Sequence, residues 1–257
     1  LSCMRSWTWL VWKFEWSVIM IKYIQRISNF GVTCVYCGSL IFSKYFQSFV
    51  NKEIKKDSYS PILKKWGNDS LKYIDIDVVL ECEEIKNKDF GNVLFLSNHQ
   101  SNLDVLIIYA TAPKSVSFVA KKSLFKIPFF GKLMNIVGTF GIDRKNRENA
   151  IKTLKIASEK LQKECLSVVM FPEGTRTKDG KLLPFKKGAF HLAIESQIPI
   201  IPVTIDGSMK LMKRNDWKLE DGLVKITYGK PIFTKGLTEK DTDYLIEQVK
   251  KSIESKL

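Results

Sequence analysis

The spacing of hydrophobic positions changes along the chain, and each change marks a different predicted element. Short apolar runs rich in β-branched and aromatic residues fall at positions 74–80, 93–96, 116–120, 166–171, 198–205 and 224–228, and their length predicts strands. Stretches 103–110, 146–163 and 187–196 carry apolar residues at helical spacing, and a last amphipathic helix places Leu245, Val249 and Ile253 on one stripe. Strands alternating with helices predict an α/β fold, a mixed, largely parallel sheet flanked by helices. Ligands of such sheets gather beyond the carboxyl ends of the strands, so the loops after strands are where chemistry is expected. Asp75 and Asp77, alternating with Ile74, Ile76 and Val78, predict the wet face of an edge strand. Ahead of these elements runs a Lys-rich polar connection from residue 51, and Pro61 is expected to end any helix there.

Residues 1–50 are a different material. Trp7, Trp9, Trp12 and Trp16 precede Val18, Ile19, Met20, Ile21 and Ile24, with Lys13, Glu15, Lys22 and Arg26 interrupting. Tryptophans beside Lys and Arg are the composition of a segment seated at a lipid interface. The longest uncharged run, residues 27–43, has 17 residues, at the lower end of the roughly 17–25 that a membrane-spanning helix needs. Two short helices meeting near Asn29, Phe30 and Gly31, lying in one leaflet as a membrane-binding motif, fit better than two spans. A cleaved signal peptide fits less well, because charges break the apolar region and no small-residue cleavage site follows closely. The expected organisation is membrane-associating helices over residues 1–50 and an α/β domain over residues 51–257.

Composition adds a partner class. With 45% hydrophobic residues among 257, the chain can bury a sizeable core, which excludes a mainly disordered protein. Lys and Arg outnumber Asp and Glu by 41 to 27, a net charge of +14. Most of that surplus is local, since residues 112–190 hold 17 Lys/Arg against 6 Asp/Glu. Such a block suits nucleic acid, an anionic membrane surface or a phosphorylated substrate. It is not expected to interleave exposed aromatics with its cations and contains no known nucleic-acid-binding module, so no nucleic-acid partner is expected. Five cysteines without framework spacing fit a reducing compartment, and Cys34 and Cys37, inside an apolar run, read as small buried hydrophobes. Two distant histidines, with no HExxH or paired CxxC, predict no metal site.

Two predicted strand ends carry chemistry. After strand 93–96 comes Ser97-Asn98-His99-Gln100-Ser101-Asn102-Leu103-Asp104. Five residues of a regular helix span about 500°, so His99 and Asp104 share no helix face. His99 is therefore expected in the turn before the helix and Asp104 in its first turn, where Ser101 and Asp104 fit a capping box. From there the carboxylate can hold one imidazole nitrogen while the other takes a proton from an alcohol. After strand 166–171 comes Phe171-Pro172-Glu173-Gly174-Thr175-Arg176. Glycine admits close backbone approach, and arginine binds phosphate with a two-pronged geometry. His191, in an apolar helix, is expected to be structural.

A third block, Lys121 to Gly131 continuing to Gly138-Thr139-Phe140-Gly141-Ile142-Asp143-Arg144, completes an ordered set with Ile198-Pro199-Ile200-Ile201-Pro202-Val203. Together these motifs, over about residues 93–205, closely resemble the glycerophospholipid acyltransferase family. The resemblance implies transfer of an acyl group from an acyl thioester, acyl-CoA or acyl-acyl-carrier protein, to the free hydroxyl of a lysophospholipid such as lysophosphatidic acid. His99 would be the general base and Asp104 its orienting partner. Lys121, Arg144 and Arg176 would contact the substrate phosphate, with Glu173, Gly174 and Thr175 shaping that site. Pro199 and Pro202 would be architectural, and no cofactor is implied. The resemblance places the domain at the cytoplasmic side of the cell membrane. Absence of a GxSxG elbow agrees with direct transfer without an acyl-enzyme. A glycerol-3-phosphate acceptor, another lysolipid, or a non-enzymatic basic membrane-binding protein are the alternatives. The family's usual large apolar residue is Gly141 here, which is expected to loosen local packing.

Overall fold

The computed structural model of the protein describes residues 20, 24–28, 30–46, 56–82, 90–144, 146–163, 167–216 and 218–257. In these residues strands β1 (Ile76–Glu81), β2 (Leu94–Ser97), β3 (Val116–Lys121), β4 (Phe140–Ile142), β5 (Ser167–Met170), β6 (Ile200–Asp206) and β7 (Gly222–Tyr228) form one sheet. Its order is β1-β7-β6-β2-β5-β3-β4, with β6 and β7 antiparallel and the other neighbours parallel. The carboxyl ends of β2, β3, β4, β5 and β6 therefore lie along one edge. That edge carries every loop the sequence marks for chemistry.

Helices cover both faces. The described helices are α1 (residues 30–46), α2 (Ser60–Tyr73), α3 (Leu103–Thr111), α4 (Phe130–Ile136), α5 (Arg147–Lys163), α6 (Gly188–Ser196), α7 (Ser208–Leu211) and α8 (Thr242–Glu254). Alternation along β2 shows how the two cores divide. Phe95 joins Cys37 and Ile41 of α1, Leu63 of α2 and Ile107 of α3, whereas Leu94 and Leu96 join Leu161 of α5, Leu192 of α6 and Leu245 of α8. Strands buried on both faces read as continuous apolar runs, which is why the sequence predicts them without polar alternation. The stripe Leu245, Val249 and Ile253 is fully buried, as its spacing predicts.

Several details differ from expectation. Pro61 starts a helix rather than ending one: it occupies the first turn of α2, where its missing N–H is one that no helical carbonyl needs. Asp77 is exposed on β1 at the sheet edge, but Asp75 precedes the strand at φ 57° and binds Arg26 at 3.1 Å. Most of the tryptophan-rich start, Trp7 to Ile19, lies outside the described residues, as does Asn29. Phe30 and Gly31 are helical, and no helix among the described residues is long and apolar enough to cross a membrane. Helix α1 packs on the domain, with Thr33 Oγ1 2.9 Å from Ser70 Oγ of α2. Cys34 and Cys37 are free thiols pushed up by burial, Cys37 to about 12, which suits packing and not thiolate chemistry.

Gly141 does not leave a loose spot. A Cβ there would meet the Phe125 ring at 2.9 Å, so that ring fills the space a larger residue would take. Gly141→Leu should overpack the site by about 1–3 kcal/mol. The thermal midpoint is expected to fall by several degrees and to recover in the double variant with Phe125→Ala. A midpoint unchanged in the single variant would show that the ring moves aside freely.

Candidate active site

The loop that carries His99 leaves β2 at Ser97 and enters α3 at Leu103. Asn98 stitches it to the neighbouring strand, accepting from the Ile205 N–H and donating to the Ile205 carbonyl, both at 2.8 Å. His99 then sits before the helix and Asp104 in its first turn, as the spacing requires. His99 Nδ1 lies 2.7 Å from Asp104 Oδ2, and the imidazole ring stacks on Phe171 with centroids 3.9 Å apart. With Nδ1 committed to the carboxylate, Nε2 is the nitrogen left to accept a proton.

Asp104 is fully buried, and its charge is compensated by four donors. Oδ2 accepts from His99 and from the backbone N–H groups of Gln100 (2.7 Å) and Ser101 (2.9 Å), and Oδ1 accepts from Ser208 Oγ at 2.6 Å. Only half of the expected capping box forms. The carboxylate does reach back to Ser101, but the Ser101 hydroxyl accepts from Leu103 N–H at 3.3 Å and donates to the Met212 carbonyl. Helix α3 starts one residue later than the box assumes, with Asn102 at its N-cap.

The turn after β5 carries the second motif and wraps around the first. Glu173, which the resemblance assigns to shaping a phosphate site, has both of its oxygens occupied by backbone N–H groups. Oε1 accepts from the His99 N–H at 2.8 Å and Oε2 from the Leu183 N–H at 2.9 Å. Glu173 thus braces the His99 loop, and burial pushes its carboxyl upward against the pull of those two donors. The Thr177 N–H closes the brace on the His99 carbonyl at 2.9 Å. Gly174 sits at φ 70°, where the Lys186 side chain crosses the position a Cβ would take, at 2.9 Å. Thr175 lies half-buried in the same turn.

Cations ring this turn. Arg144 donates from Nη1 to the Gly174 carbonyl, and Arg214 from Nη1 to the Arg176 carbonyl at 2.9 Å. Arg176 itself is half-buried, and burial with the neighbouring Arg214 holds it below the usual guanidinium range. Lys121 ends β3 in register with Ile142 and is exposed, outside this network. The sequence motifs therefore bring together His99, Asp104, Glu173, Gly174, Arg176 and Arg144. They miss Ser208, which opens α7, and Met212 and Arg214, which follow that helix. One signal could have found them: β6 is a strand, and its carboxyl end shares the edge where ligands gather.

The turn also borders a cavity of 780 Å³ lined by Arg144, Phe171, Gly174, Lys186 and His191. Phe171, whose ring stacks on His99, lines it together with the apolar side chains of Ile142, Leu154 and Leu192. Among the described residues no cluster of His, Cys, Asp and Glu could hold a metal ion.

Comparison with known proteins points the same way. A model of the family described as Acyltransferase matches residues 79–206. The 1-acyl-sn-glycerol-3-phosphate acyltransferases of Haemophilus influenzae and Escherichia coli are 40% and 39% identical, over 59% and 60% of this chain and 62% of each of those proteins. That of Cocos nucifera is 33% identical over 64% of this chain and 54% of its own length. The matches thus span less than two thirds of these relatives. The crystal structure of the 1-acyl-sn-glycerophosphate acyltransferase PlsC from Thermotoga maritima superposes with a TM-score of 0.72 at 27% identity, covering 92% of this chain and 97% of that one. Sheet, motif order and relatives agree, and the chain belongs to the acyltransferase family.

Proposed function

We propose that the protein transfers an acyl group from an acyl thioester to the free sn-2 hydroxyl of 1-acyl-sn-glycerol-3-phosphate, giving phosphatidic acid. The observation that carries this reading is the His99–Asp104 pair braced against a turn ringed by Arg144, Arg176 and Arg214. His99 Nε2 takes the proton of the hydroxyl as its oxygen attacks the thioester carbonyl, and Asp104 stabilises the imidazolium. The tetrahedral intermediate collapses, the carbon–sulfur bond breaks, and the imidazolium returns the proton to the departing thiolate. Neither loop serine is placed as a nucleophile: Ser97 Oγ donates to the Asn98 carbonyl and Ser101 Oγ to that of Met212.

A phosphate monoester carries close to two negative charges near neutral pH, its second pKa being about 6, and two or three guanidiniums match it. Arg176 and Arg214 are its main partners, with Arg144 and Lys121 contributing. The donor is an acyl-CoA or an acyl-acyl-carrier protein, and the basic block suits the phosphates of either. The enzyme acts at the anionic, cytoplasmic face of the cell membrane, held there by its N-terminal helices.

Purified protein given lysophosphatidate and an acyl thioester should release free thiol, with a higher kcat/KM than for glycerol-3-phosphate or a choline lysolipid. Equal use of the choline lysolipid would overturn the phosphomonoester assignment. Arg176→Ala and Arg214→Ala are each expected to remove about 1.5–3 kcal/mol of charged hydrogen bonding, raising the lysophosphatidate KM roughly tenfold or more. A change confined to donor affinity would move the phosphate elsewhere.

A further inference from the structure

The segment joining β3 to α4 presents an apolar surface that the proposed chemistry does not use. Leu124 is 36% exposed, Ile127 47%, Phe129 77% and Phe130 46%. Phe125 alone turns inward, onto Gly141. The segment is held and not floppy: the Gly131 N–H donates to the Ile127 carbonyl at 2.9 Å and the Leu133 N–H to the Phe129 carbonyl at 2.9 Å. Phe129 stands at φ 60°, a backbone conformation unusual for an aromatic residue, and it is the most exposed large side chain of the segment. Four large apolar groups within seven residues make a contiguous patch of the kind that marks an interaction site.

Three observations identify what covers it. Exposed Lys121, Lys122 and Lys126 border the patch, and no Asp or Glu occurs from residue 105 to residue 142, so its partner is anionic. Helix α1 lies alongside α4, with Lys132 Nζ 5.5 Å from the Phe42 ring, and it exposes Val32, Val35, Tyr36 and Phe46. The segment also follows the carboxyl end of β3, which runs parallel to β5 and, through it, to β2, so it stands at the edge that bears His99. Aromatic and aliphatic side chains fringed by lysines are the composition that binds the interfacial layer of anionic membranes.

We infer that residues 124–130 are a lipid-docking loop of the α/β domain itself, with Leu124, Ile127, Phe129 and Phe130 entering an anionic bilayer beside α1. The inference rests on the reading that the acceptor is a lysolipid drawn from a membrane. Docking by this loop turns the edge carrying His99 toward the bilayer, so the acceptor need not leave it fully.

The test uses the full chain carrying Phe129→Asn and Phe130→Gln, because asparagine tolerates positive φ. Flotation with phosphatidylglycerol–phosphatidylcholine vesicles should show partitioning reduced at least tenfold, and the KM for long-chain lysophosphatidate in those vesicles raised similarly. Turnover of a short-chain, monomeric lysophosphatidate should stay within twofold. Lys122→Glu with Lys126→Glu should weaken binding to anionic vesicles and spare pure phosphatidylcholine. Unchanged flotation of the Phe129/Phe130 variant would overturn the inference. So would an equal loss on the soluble acceptor, which would place the loop in the substrate pocket, or a wild-type dimer that the variant dissociates without losing vesicles. If the wild type acylates no acceptor, the functional reading fails while flotation still decides the docking surface.

Discussion

His99→Ala is expected to lower acyl transfer by about 10²–10⁴-fold, the usual contribution of a positioned general base. The loss should fall on kcat, because His99 does not itself hold the phosphate. The fold should persist, since the backbone bonds of residue 99 to Glu173 and Thr177 do not involve its side chain. Asp104→Asn makes a finer test. An asparagine can place its oxygen where Oδ2 receives three donors and turn its amide toward Ser208, whose hydroxyl can also accept. The loop then survives with one charge removed, and kcat should fall less than in His99→Ala. Thiol release by purified variants measures both, and a fully active His99→Ala protein would exclude the base mechanism.

Glu173→Ala should damage stability and turnover together. Its removal strands two N–H groups, those of His99 and Leu183, in a turn where the Glu173 side chain is itself buried. Each unsatisfied buried donor costs about 1–3 kcal/mol, so the thermal midpoint is expected to drop by roughly 5–15 °C. Glu173→Gln is no rescue, because its amide must face one of the two N–H donors. Were Glu173 a neighbour of the substrate phosphate, its loss would relieve repulsion and lower KM. As a brace, its loss leaves KM for lysophosphatidate little changed while kcat falls as His99 loses its anchor. Steady-state kinetics beside a melting curve separates the two roles.

Much of this arrangement is legible in the amino-acid sequence. The runs around Phe95, Val169 and Ile201 are apolar because both faces of the sheet are covered, and helical spacing at Leu245, Val249 and Ile253 is explained by one buried face. The His99–Asp104 geometry followed from residue spacing alone. Other features depend on partners far along the chain and leave no local trace. Three-residue β4 is too short to show a period. Pro61 admits two readings, and only the helix that follows it chooses between them. Glu173 has the residue type of a site ligand, yet its carboxylate is spent on backbone. Arg214 lies beyond residues 79–206, the span that the family model matches, and nothing near it in the chain announces that it caps the Arg176 carbonyl.

The contacts that shape the His99 loop bear on how the chain assembles. His99 meets Glu173 across 74 positions, Asp104 meets Ser208 across 104, Asn98 meets Ile205 across 107 and Ser101 meets Met212 across 111. Every one of these closures joins distant segments, so loop-closure entropy must be overcome before any of them contributes. Local helices can form early, but the carboxylate of Asp104 acquires its fourth donor, Ser208, only when β6 and α7 have docked, and His99 acquires its Glu173 brace only when the turn after β5 has docked. Catalytic competence is therefore among the last properties the folding chain acquires, and a partly folded population would be silent in an activity assay.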